Sequence, residues 1–287
     1  MKKFAVIDVG SNSVRLMFVA DGKVLYKALN TTRLGEGLAS SSLLKQEAIE
    51  RSVNAVVAFY DKAKTEGAEA VYVFATAAAR SASNGQAFVD GVRALRPIQV
   101  EIISGEEEAE IGILGALGND DGGVIDVGGA STEIVVKSHG EMIFKKSVNI
   151  GVVRLRDMCG RDKEVLTKVA RDAAKEYVNF PPTENLHAIG GTATTLAALA
   201  LELQTYNSEK ITGAVLSKAK LQEMADKLTE MTVEEIAALP CVPKGRADVL
   251  SGGAVLLATL MQELGVQTLT VSDRDNLEGY AIKRGLM

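Results

Sequence analysis

Hydrophobic and polar residues follow two different patterns along the chain, and segments with one pattern alternate with segments that have the other. Short aliphatic runs that end at a glycine or a polar turn predict strands, whereas stretches in which apolar residues recur every three or four positions predict helices. Residues 46–66 show the helical period, with Ala48, Ile49, Val53 and Val56 on one side. Because helices and strands alternate along the chain, we expect an α/β protein.

These patterns assign most of the chain to an element. Ser104 and Glu107 have the spacing of a capping box and mark one helix start, and Arg96-Pro97 marks a helix end. Predicted helices span residues 46–66, 84–95, 104–117, 163–178, 192–203, 217–230, 232–238, 246–264 and 277–286, and predicted single strands span residues 71–75, 100–103, 187–189 and 268–272.

A repeat links the two halves of the chain. Residues 5–10 read AVIDVG and residues 123–128 read GVIDVG, a match at five of six positions with equivalent residues 118 apart (5 and 123). Each copy continues through a Gly/Ser-rich turn, an apolar run, a second turn and another strand-like run, which is typical of a β-hairpin or meander. Chance likeness between two hairpins is the alternative, but the shared Asp-x-Gly position and turn favour a true repeat. We therefore expect two similar domains facing each other, at residues 1–119 and 120–287, with residues 276–287 as a candidate addition to the first.

Composition narrows the class of protein. The chain has 287 residues, of which 47% are hydrophobic and 24% charged, and its formal net charge is −5. These values are usual for a globular protein and argue against a basic nucleic-acid-binding fold. The two cysteines, Cys159 and Cys241, are too few for a cysteine zinc site. No apolar run approaches a transmembrane length or a signal-peptide core, so we expect a cytoplasmic protein without membrane or nucleic-acid partners.

Three strand ends lead directly into glycine turns, at residues 8–11 (DVGS), 126–129 (DVGG) and 189–192 (IGGT). Glycine allows a backbone to approach a phosphate closely, and the N–H groups of such turns supply positive potential. Each turn alone is equally well read as a plain tight turn, but three together favour phosphate binding. Asp8 and Asp126 would then hold a magnesium ion that the phosphates share. The chain has neither a Walker A sequence nor Gly-x-Gly-x-x-Gly, which disfavours P-loop and dinucleotide sites.

A run of glutamates follows the predicted strand at residues 100–103. Glu107 is explained by the capping box, and Glu106 and Glu110 are most simply solvated. Glu108 has no such explanation. If its carboxylate points into a cleft beside the glycine turns, it is placed to orient a water for attack on phosphorus.

Arg80 follows a strand and three alanines, which leave room for a ligand, and a guanidinium can bind phosphate with two parallel hydrogen bonds. A surface salt bridge is the alternative for this residue. The two histidines, His139 and His187, lie at a hairpin turn and a strand start and are poor candidates for metal ligands or bases.

Seven motifs together carry a resemblance to a known family. The chain resembles the exopolyphosphatase/guanosine pentaphosphatase (Ppx/GppA) phosphatase family, within the actin-like ATPase superfamily, over nearly its whole length. The motifs are residues 7–13 (IDVGSNS), 76–84 (TAAARSASN), 103–109 (ISGEEEA), 125–133 (IDVGGASTE), 150–155 (IGVVRL), 190–196 (GGTATTL) and 246–248 (RAD).

The resemblance implies two ribonuclease-H-like domains flanking an active-site cleft. It implies magnesium-dependent release of the terminal phosphate of inorganic polyphosphate, or of the 5′ γ-phosphate of guanosine pentaphosphate. Carried over by motif, Glu108 is the catalytic base, and Asp126 and Glu133 hold Mg²⁺ with Asp8 nearby. A homodimer is a candidate assembly. The residues implied to contact phosphates are Arg80, Asn84, Gly128, Gly129 and Ser131 at the phosphate under attack, and Ser11, Asn12, Ser13, Gly191 and Thr192 at its neighbours.

Two departures from the family pattern bear on substrate. Ala130 stands where most members have a third glycine, and its Cβ could narrow the approach of a phosphate. The chain also ends near residue 287 and so resembles the short members, which lack a C-terminal HD-like region. This favours short polyphosphates or nucleotides over long polyphosphate.

Two other functions stay open at the level of sequence. An actin-like ATP-dependent kinase or ATPase shares the glycine turns and aspartates, although the SGEEEA run and the Arg80 loop favour the phosphohydrolase. A non-catalytic protein that binds polyphosphate or guanosine tetra- or pentaphosphate is the second alternative. Ala130 is the one feature that hints at it, and the set of carboxylates argues against it.

Overall fold

The computed structural model describes residues 2–287 and places their strands in two mixed sheets. The first sheet has the order β3-β2-β1-β4-β5. Strands β1 to β3 form an antiparallel meander, and β4 and β5 run parallel to β1. The strands are β1 (Lys3–Val9), β2 (Ser13–Ala20), β3 (Lys23–Thr31), β4 (Ala70–Ala75) and β5 (Val100–Ile102).

The second sheet repeats this arrangement and adds one strand. Its order is β10-β11-β9-β6-β7-β8. Strands β6 to β8 form an antiparallel meander, β9 is parallel to β6, and β11 is parallel to β9. The strands are β6 (Gly122–Val127), β7 (Thr132–Ser138), β8 (Glu141–Val148), β9 (Leu186–Ile189), β10 (Val215–Ser217) and β11 (Thr268–Val271). The matching meanders confirm the predicted α/β class and the two similar halves.

The helices agree with the predicted pattern where the hydrophobic period is long. The sequence did not predict the short helices α2, α5 and α8 or the short strand β10, and it extended α6 four residues too far. The helices are α1 (Gln46–Thr65), α2 (Ala77–Ser81), α3 (Gly85–Leu95), α4 (Gly105–Leu117), α5 (Val152–Cys159), α6 (Lys163–Ala174), α7 (Gly190–Ala200), α8 (Ser208–Ile211), α9 (Lys218–Glu230), α10 (Val233–Ala237), α11 (Ala247–Glu263) and α12 (Asn276–Lys283).

The predicted capping box fixes the start of α4. The Ser104 hydroxyl accepts a hydrogen bond from the Glu107 backbone N–H (3.1 Å), and the Glu107 carboxylate accepts one from the Ser104 N–H (3.1 Å). This confirms the interpretation of Glu107 as a capping residue. The cap also sets the rotation of α4, so that Glu108 is buried while Glu106 is exposed.

Helices α4 and α12 pack together with their backbones in contact. A Cβ on Gly115 of α4 would lie 1.9 Å from the Asp275 carbonyl oxygen, and one on Gly279 of α12 would lie 1.6 Å from the Ile111 carbonyl oxygen. Only glycine permits this approach at either position. Helix α12 also packs on β1, where Leu277 and Tyr280 share a core with apolar residues of the first sheet. The division of the chain at residue 119 stays a prediction.

The other cores lie on the remaining faces of the sheets. Helices α1 and α3 cover one face of the first sheet, and a larger core joins the second sheet to α5, α6, α7, α9 and α11. In the part of the chain that the structure describes, no helix is both long enough and apolar enough to cross a bilayer.

Candidate active site

The first two glycine turns have the same hydrogen bond and touch each other. In the first turn the Gly10 N–H donates to the Ser13 carbonyl (3.0 Å), and in the second the Gly128 N–H donates to the Ser131 carbonyl (3.0 Å). A Cβ on Gly129 would lie 2.7 Å from the Ser11 Cβ, so glycine is required for this contact. The repeat seen in the sequence is therefore a repeat of structure, and its two copies meet turn to turn.

The third turn joins β9 to α7 and completes the site. Gly190 lies against the Asp126 carboxylate, and Gly191 lies against the Arg246 guanidinium. The three turns line one cavity of about 90 Å³. Helix N-termini and turn N–H groups that converge in this way form a site for anions. Of the residues assigned from sequence, this cavity is lined by Asp8, Ser11, Asn12, Ser13, Glu108, Asp126, Gly128, Gly129, Ser131, Gly191 and Thr192.

Glu108 and Arg80 form an ion pair at this cavity. The Arg80 Nη1 lies 3.0 Å from the Glu108 Oε2 and also donates to the Ile103 carbonyl (2.9 Å). Burial raises the pKa of Glu108, and the charge of Arg80 opposes the rise. A carboxylate with a raised pKa suits general-base catalysis better than an ordinary one. Arg80 itself does not line the cavity and reaches it through Glu108.

The two halves differ in charge at equivalent strand positions. On β1 and β2, Asp8 is the cross-strand partner of Arg15, and their side chains form an ion pair. On β6 and β7, Asp126 is the cross-strand partner of Glu133. Burial and the nearby Glu108 charge raise the pKa of Asp126 to about 7, and burial raises that of Glu133 well above its usual value. One half thus neutralises its aspartate, whereas the other places two carboxylates side by side.

The carboxylates fit a magnesium ion that is shared with substrate. Within residues 2–287, one oxygen of Asp8 and one of Glu133 are buried without a hydrogen-bond partner. No three His, Cys, Asp or Glu side chains of that range are close enough together to hold a metal ion as a complete cage. Mg²⁺ in phosphate-processing sites is usually held by one or two carboxylates, by substrate phosphates and by water. The incomplete donor set and the unpaired oxygens agree with that mode of binding.

Besides Arg80, two of the assigned residues lie outside the cavity. Glu133 is buried behind Asp126, where the Ser147 hydroxyl donates to it (2.6 Å). The Asn84 amide bonds to the backbone N–H and carbonyl of Leu44 (2.8 and 3.0 Å). Asn84 therefore holds the loop before α1, and the structure does not bring it to the phosphate site that the resemblance implied.

The residues of the cavity wall that were not assigned from sequence include Arg15, Asn276 and Arg246. Arg15 occupies the repeat position equivalent to Glu133, so the repeat was a signal that could have identified it. Asn276 donates from Nδ2 to the Asp126 Oδ2 (3.3 Å), across 150 residues of chain, and no local pattern indicates that contact. Arg246 pairs with no carboxylate in residues 2–287 and its Nε has no partner there. Desolvation lowers the pKa of Arg246 to about 10.

A second, larger cavity adjoins the first. Its volume is about 780 Å³, and it lies between β3 of the first sheet and α7, α8 and the loop before α12. Of its four cations, Lys27 and Arg15 are paired with carboxylates, whereas Arg246 and Arg274 form no salt bridge within residues 2–287. The residues that line both cavities are Arg15, Gly190, Gly191 and Arg246.

Two α/β halves with equivalent glycine turns that face each other across a small cleft define an actin-like fold with a candidate anion-binding site. The chain matches the model of the Ppx/GppA phosphatase family over residues 4–284, and it belongs to that family.

Relatives of known name agree with this assignment. The chain is 33% identical to exopolyphosphatase 2 of Mycobacterium tuberculosis over 314 residues, covering 98% of each protein. It is 29% identical to the guanosine-5′-triphosphate,3′-diphosphate pyrophosphatase of Photobacterium profundum, covering 99% of this chain but 58% of that protein. The crystal structure of an exopolyphosphatase from Cytophaga hutchinsonii superposes with a TM-score of 0.87 at 25% identity, covering 100% of this chain and 99% of that one.

Proposed function

We propose that this protein is a magnesium-dependent phosphohydrolase that releases terminal orthophosphate from short inorganic polyphosphate, from guanosine pentaphosphate, or from both. Membership of the Ppx/GppA phosphatase family and the names of its relatives support phosphoanhydride hydrolysis. The observation that carries the proposal is the Arg80–Glu108 pair, placed at a cavity where three glycine turns converge.

Glu108 acts as the general base in this proposal. Its carboxylate lines the cavity and takes a proton from the water that attacks the terminal phosphorus. Arg80 holds the Glu108 carboxylate at 3.0 Å and places a positive charge beside the developing negative charge of the transition state. The ion pair therefore positions the base and stabilises the same reaction centre.

The glycine turns and Arg246 bind the phosphates. Backbone N–H groups of the turns at Ser11 and Gly129, together with the N-terminus of α7, are fixed before substrate arrives, so little reorganisation is needed. Arg246, a cation without a carboxylate partner in the described chain, is available for an anionic ligand. Its contact with Gly191 places it on the same side as the third turn.

The paired carboxylates Asp126 and Glu133, with Asp8 nearby, would hold Mg²⁺. The ion, when bound, offsets the negative charge of the phosphate oxygens. Arg15 forms an ion pair with Asp8 of the first half, whereas no cation of residues 2–287 forms an ion pair with Asp126 or Glu133. The asymmetry therefore places the excess negative charge on the Asp126 side of the cleft.

The sizes of the two cavities support a short substrate. A space of about 90 Å³ suits the terminal phosphate, and the remainder of the substrate passes Arg15, Gly191 and Arg246 into the larger cavity of about 780 Å³. Two of the four cations there, Arg15 and Lys27, are already paired with carboxylates, so within residues 2–287 a polyanion would find Arg246 and Arg274 as the free charges of this cavity, which is few for a long polyphosphate.

The test is phosphate release from tripolyphosphate, longer polyphosphates of defined length and guanosine pentaphosphate, each with Mg²⁺ and with EDTA. We expect turnover without added nucleotide, with Mg²⁺ only, and falling as the polyphosphate lengthens. Turnover that requires ATP would instead favour the kinase or ATPase. Tight binding of these compounds without hydrolysis in Mg²⁺ would favour the non-catalytic binding protein.

A further inference from the structure

The first glycine turn is bonded to the segment that follows β3. The Asn12 carbonyl accepts hydrogen bonds from the backbone N–H groups of Thr32 (3.1 Å) and Arg33 (2.9 Å), and the Ser11 carbonyl accepts one from Gly35 (2.8 Å). These bonds hold Arg33 at a φ of 54°, in the left-handed region that side-chain-bearing residues seldom adopt. Residues 32–37 therefore move with the first turn.

The second turn is bonded to α5 in the same way. The Gly128 carbonyl accepts a hydrogen bond from the Val152 N–H (2.9 Å), and the Gly129 carbonyl accepts one from the Val153 N–H (2.8 Å). Helix α5 therefore begins on the second turn and moves with it. Its last turn carries Arg156 and Asp157.

Four charged residues join these two supports across the cleft. Asp248, in the first turn of α11, accepts from Arg33 on one side (2.9 Å) and from Arg156 on the other (2.8 Å). Asp157 pairs with Arg156 (2.7 Å) and accepts from the Gly37 N–H (2.6 Å). We call Arg33, Arg156, Asp157 and Asp248 the clamp.

An acidic residue in a first helical turn is ordinarily explained by the helix dipole. That explanation accounts for Asp248 alone, but not for two arginines that converge on it from opposite sides of the cleft. Nor does it account for the second bridge between Asp157 and Gly37. Both bridges connect residues 32–37 to the second half of the molecule.

We propose that the clamp holds the two phosphate-binding turns at the spacing that a phosphate requires, and that Asp248 is a positioning residue for the reaction. The proposal rests on the function proposed above. Breaking the clamp lets the cleft widen, so that a smaller fraction of the protein has the turns at binding distance. The apparent affinity then falls in proportion to that fraction, whereas the rate at saturation is little changed.

The test compares Asp248→Asn and Arg33→Gln with the wild type. Glu263→Gln is the matched control, because Glu263 ends the same helix α11 and pairs with Arg171 on the surface of the second half. We expect both clamp variants to raise the KM for tripolyphosphate in Mg²⁺ about 10-fold, with kcat within about twofold of wild type. A loss of folded protein would lower kcat without raising KM. Arg33→Gln leaves α11 untouched and so separates the clamp from the stability of that helix.

Two further measurements make the outcome decisive. The double variant should be no worse than Asp248→Asn alone, because Asp248→Asn already removes the Arg33–Asp248 contact that Arg33→Gln breaks. Small-angle X-ray scattering of the free variants should give a larger radius of gyration than that of wild type or Glu263→Gln. An unchanged KM, independent effects of the two changes or an unchanged radius of gyration would each overturn the proposal. Absence of turnover in the wild type would instead overturn the proposed function, and the scattering comparison would still test the clamp.

Discussion

Asp126 and Glu133 face each other directly across strands β6 and β7, as two carboxylates on one face of the sheet, of which Glu133 is buried and Asp126 is half-buried. Like charges at directly opposed positions destabilise a sheet. At the equivalent positions of the first half, Asp8 faces Arg15 and the conflict is absent. The fold therefore carries an electrostatic cost in one half only, on the side of the cleft where we propose that the metal binds.

The first prediction is that the metal-free protein loses stability as the pH rises. The pKa of Asp126 is about 7 in the folded protein and close to its ordinary value of 3.8 in the unfolded protein. The folded protein therefore binds this proton more tightly, and protonation of Asp126 at low pH stabilises the fold. That stabilisation is lost progressively as the pH rises from about 4 through 7. In EDTA we expect the Tm of the wild type to fall between pH 5 and 7, and that of Asp126→Asn to fall less. Mg²⁺ at pH 7.5 should restore the wild type alone. Equal slopes for the two proteins would contradict the prediction.

The second prediction concerns Glu108 as the base. Replacing Glu108 by Gln keeps its shape and removes its ability to accept a proton, so we expect phosphate release to fall by about 10²- to 10⁴-fold. Glu108→Ala should also abolish turnover while the fold remains intact. The matched control is Glu106→Gln on the same helical turn, where the side chain is exposed and pairs with Lys145. The malachite-green rate of each variant gives the comparison, and near-normal turnover of Glu108→Gln would remove the assignment.

The third prediction concerns the guanidinium of Arg80. Glu108 and the Ile103 carbonyl both accept from Arg80 Nη1, which the long planar guanidinium holds in place. Lysine keeps the charge but is shorter and flexible and does not hold that position, so we expect about a 10²-fold loss in kcat. Because the charge of Arg80 lowers the pKa of Glu108, Arg80→Gln should also move the acid limb of the kcat profile to higher pH. Wild-type kinetics and an unmoved acid limb would show that Arg80 forms only a structural salt bridge.

The fourth prediction is a trade between stability and binding at Arg246. Its guanidinium is desolvated without a carboxylate partner in residues 2–287, which costs folding free energy. We therefore expect Arg246→Gln to raise the Tm and to raise the KM for tripolyphosphate. Arg171→Gln, at an exposed pair with Glu263, should change neither by much. A lowered Tm with an unchanged KM would assign Arg246 to the core instead.

The last prediction separates Asn84 from the phosphate site. Its amide satisfies both backbone groups of Leu44, so Asn84→Ala should lower the free energy of unfolding by about 1–3 kcal/mol. Urea unfolding measures that loss, and KM should not change. A large rise in KM at full stability would return Asn84 to the group of phosphate-binding residues.

The parts of the fold that the sequence predicted are those in which the cause is local. The capping box at Ser104 and the hydrophobic period of residues 46–66 depend on neighbours within one or two helical turns. The repeat was visible because it copies a hairpin, and its equivalent hydrogen bonds at Gly10 and Gly128 explain why the likeness extends into the turn. The short helix α5 was missed because it is held by the carbonyls of Gly128 and Gly129 more than by its own sequence.

The site was predictable as far as the motifs contain it. Glu108, Asp126 and the glycine turns lie at the ends of strands and helices, within short motifs of consecutive residues that can be recognised in the sequence. Asn276 and Arg246 were missed because the residues they contact, Asp126 and Gly191, are distant in the chain and become adjacent only after folding. Asn84 lies inside a recognised motif and bonds the backbone of Leu44, and its role at the phosphate stays a prediction. A motif fixes which residues are near a site, but not which of them face it.

The backbone contact between α4 and α12 has a consequence for synthesis of the chain on the ribosome. The first sheet consists of residues 3–102, yet the face of it that contains Val6 and Phe74 is covered by Leu277 and Tyr280 of α12. Ile111 of α4 shares this core, but the part of the face under α12 stays open to water until residues 276–283 have left the exit tunnel. The first half of the nascent chain therefore exposes an apolar surface during most of translation. It is the part of the protein to which a chaperone can bind for the longest time.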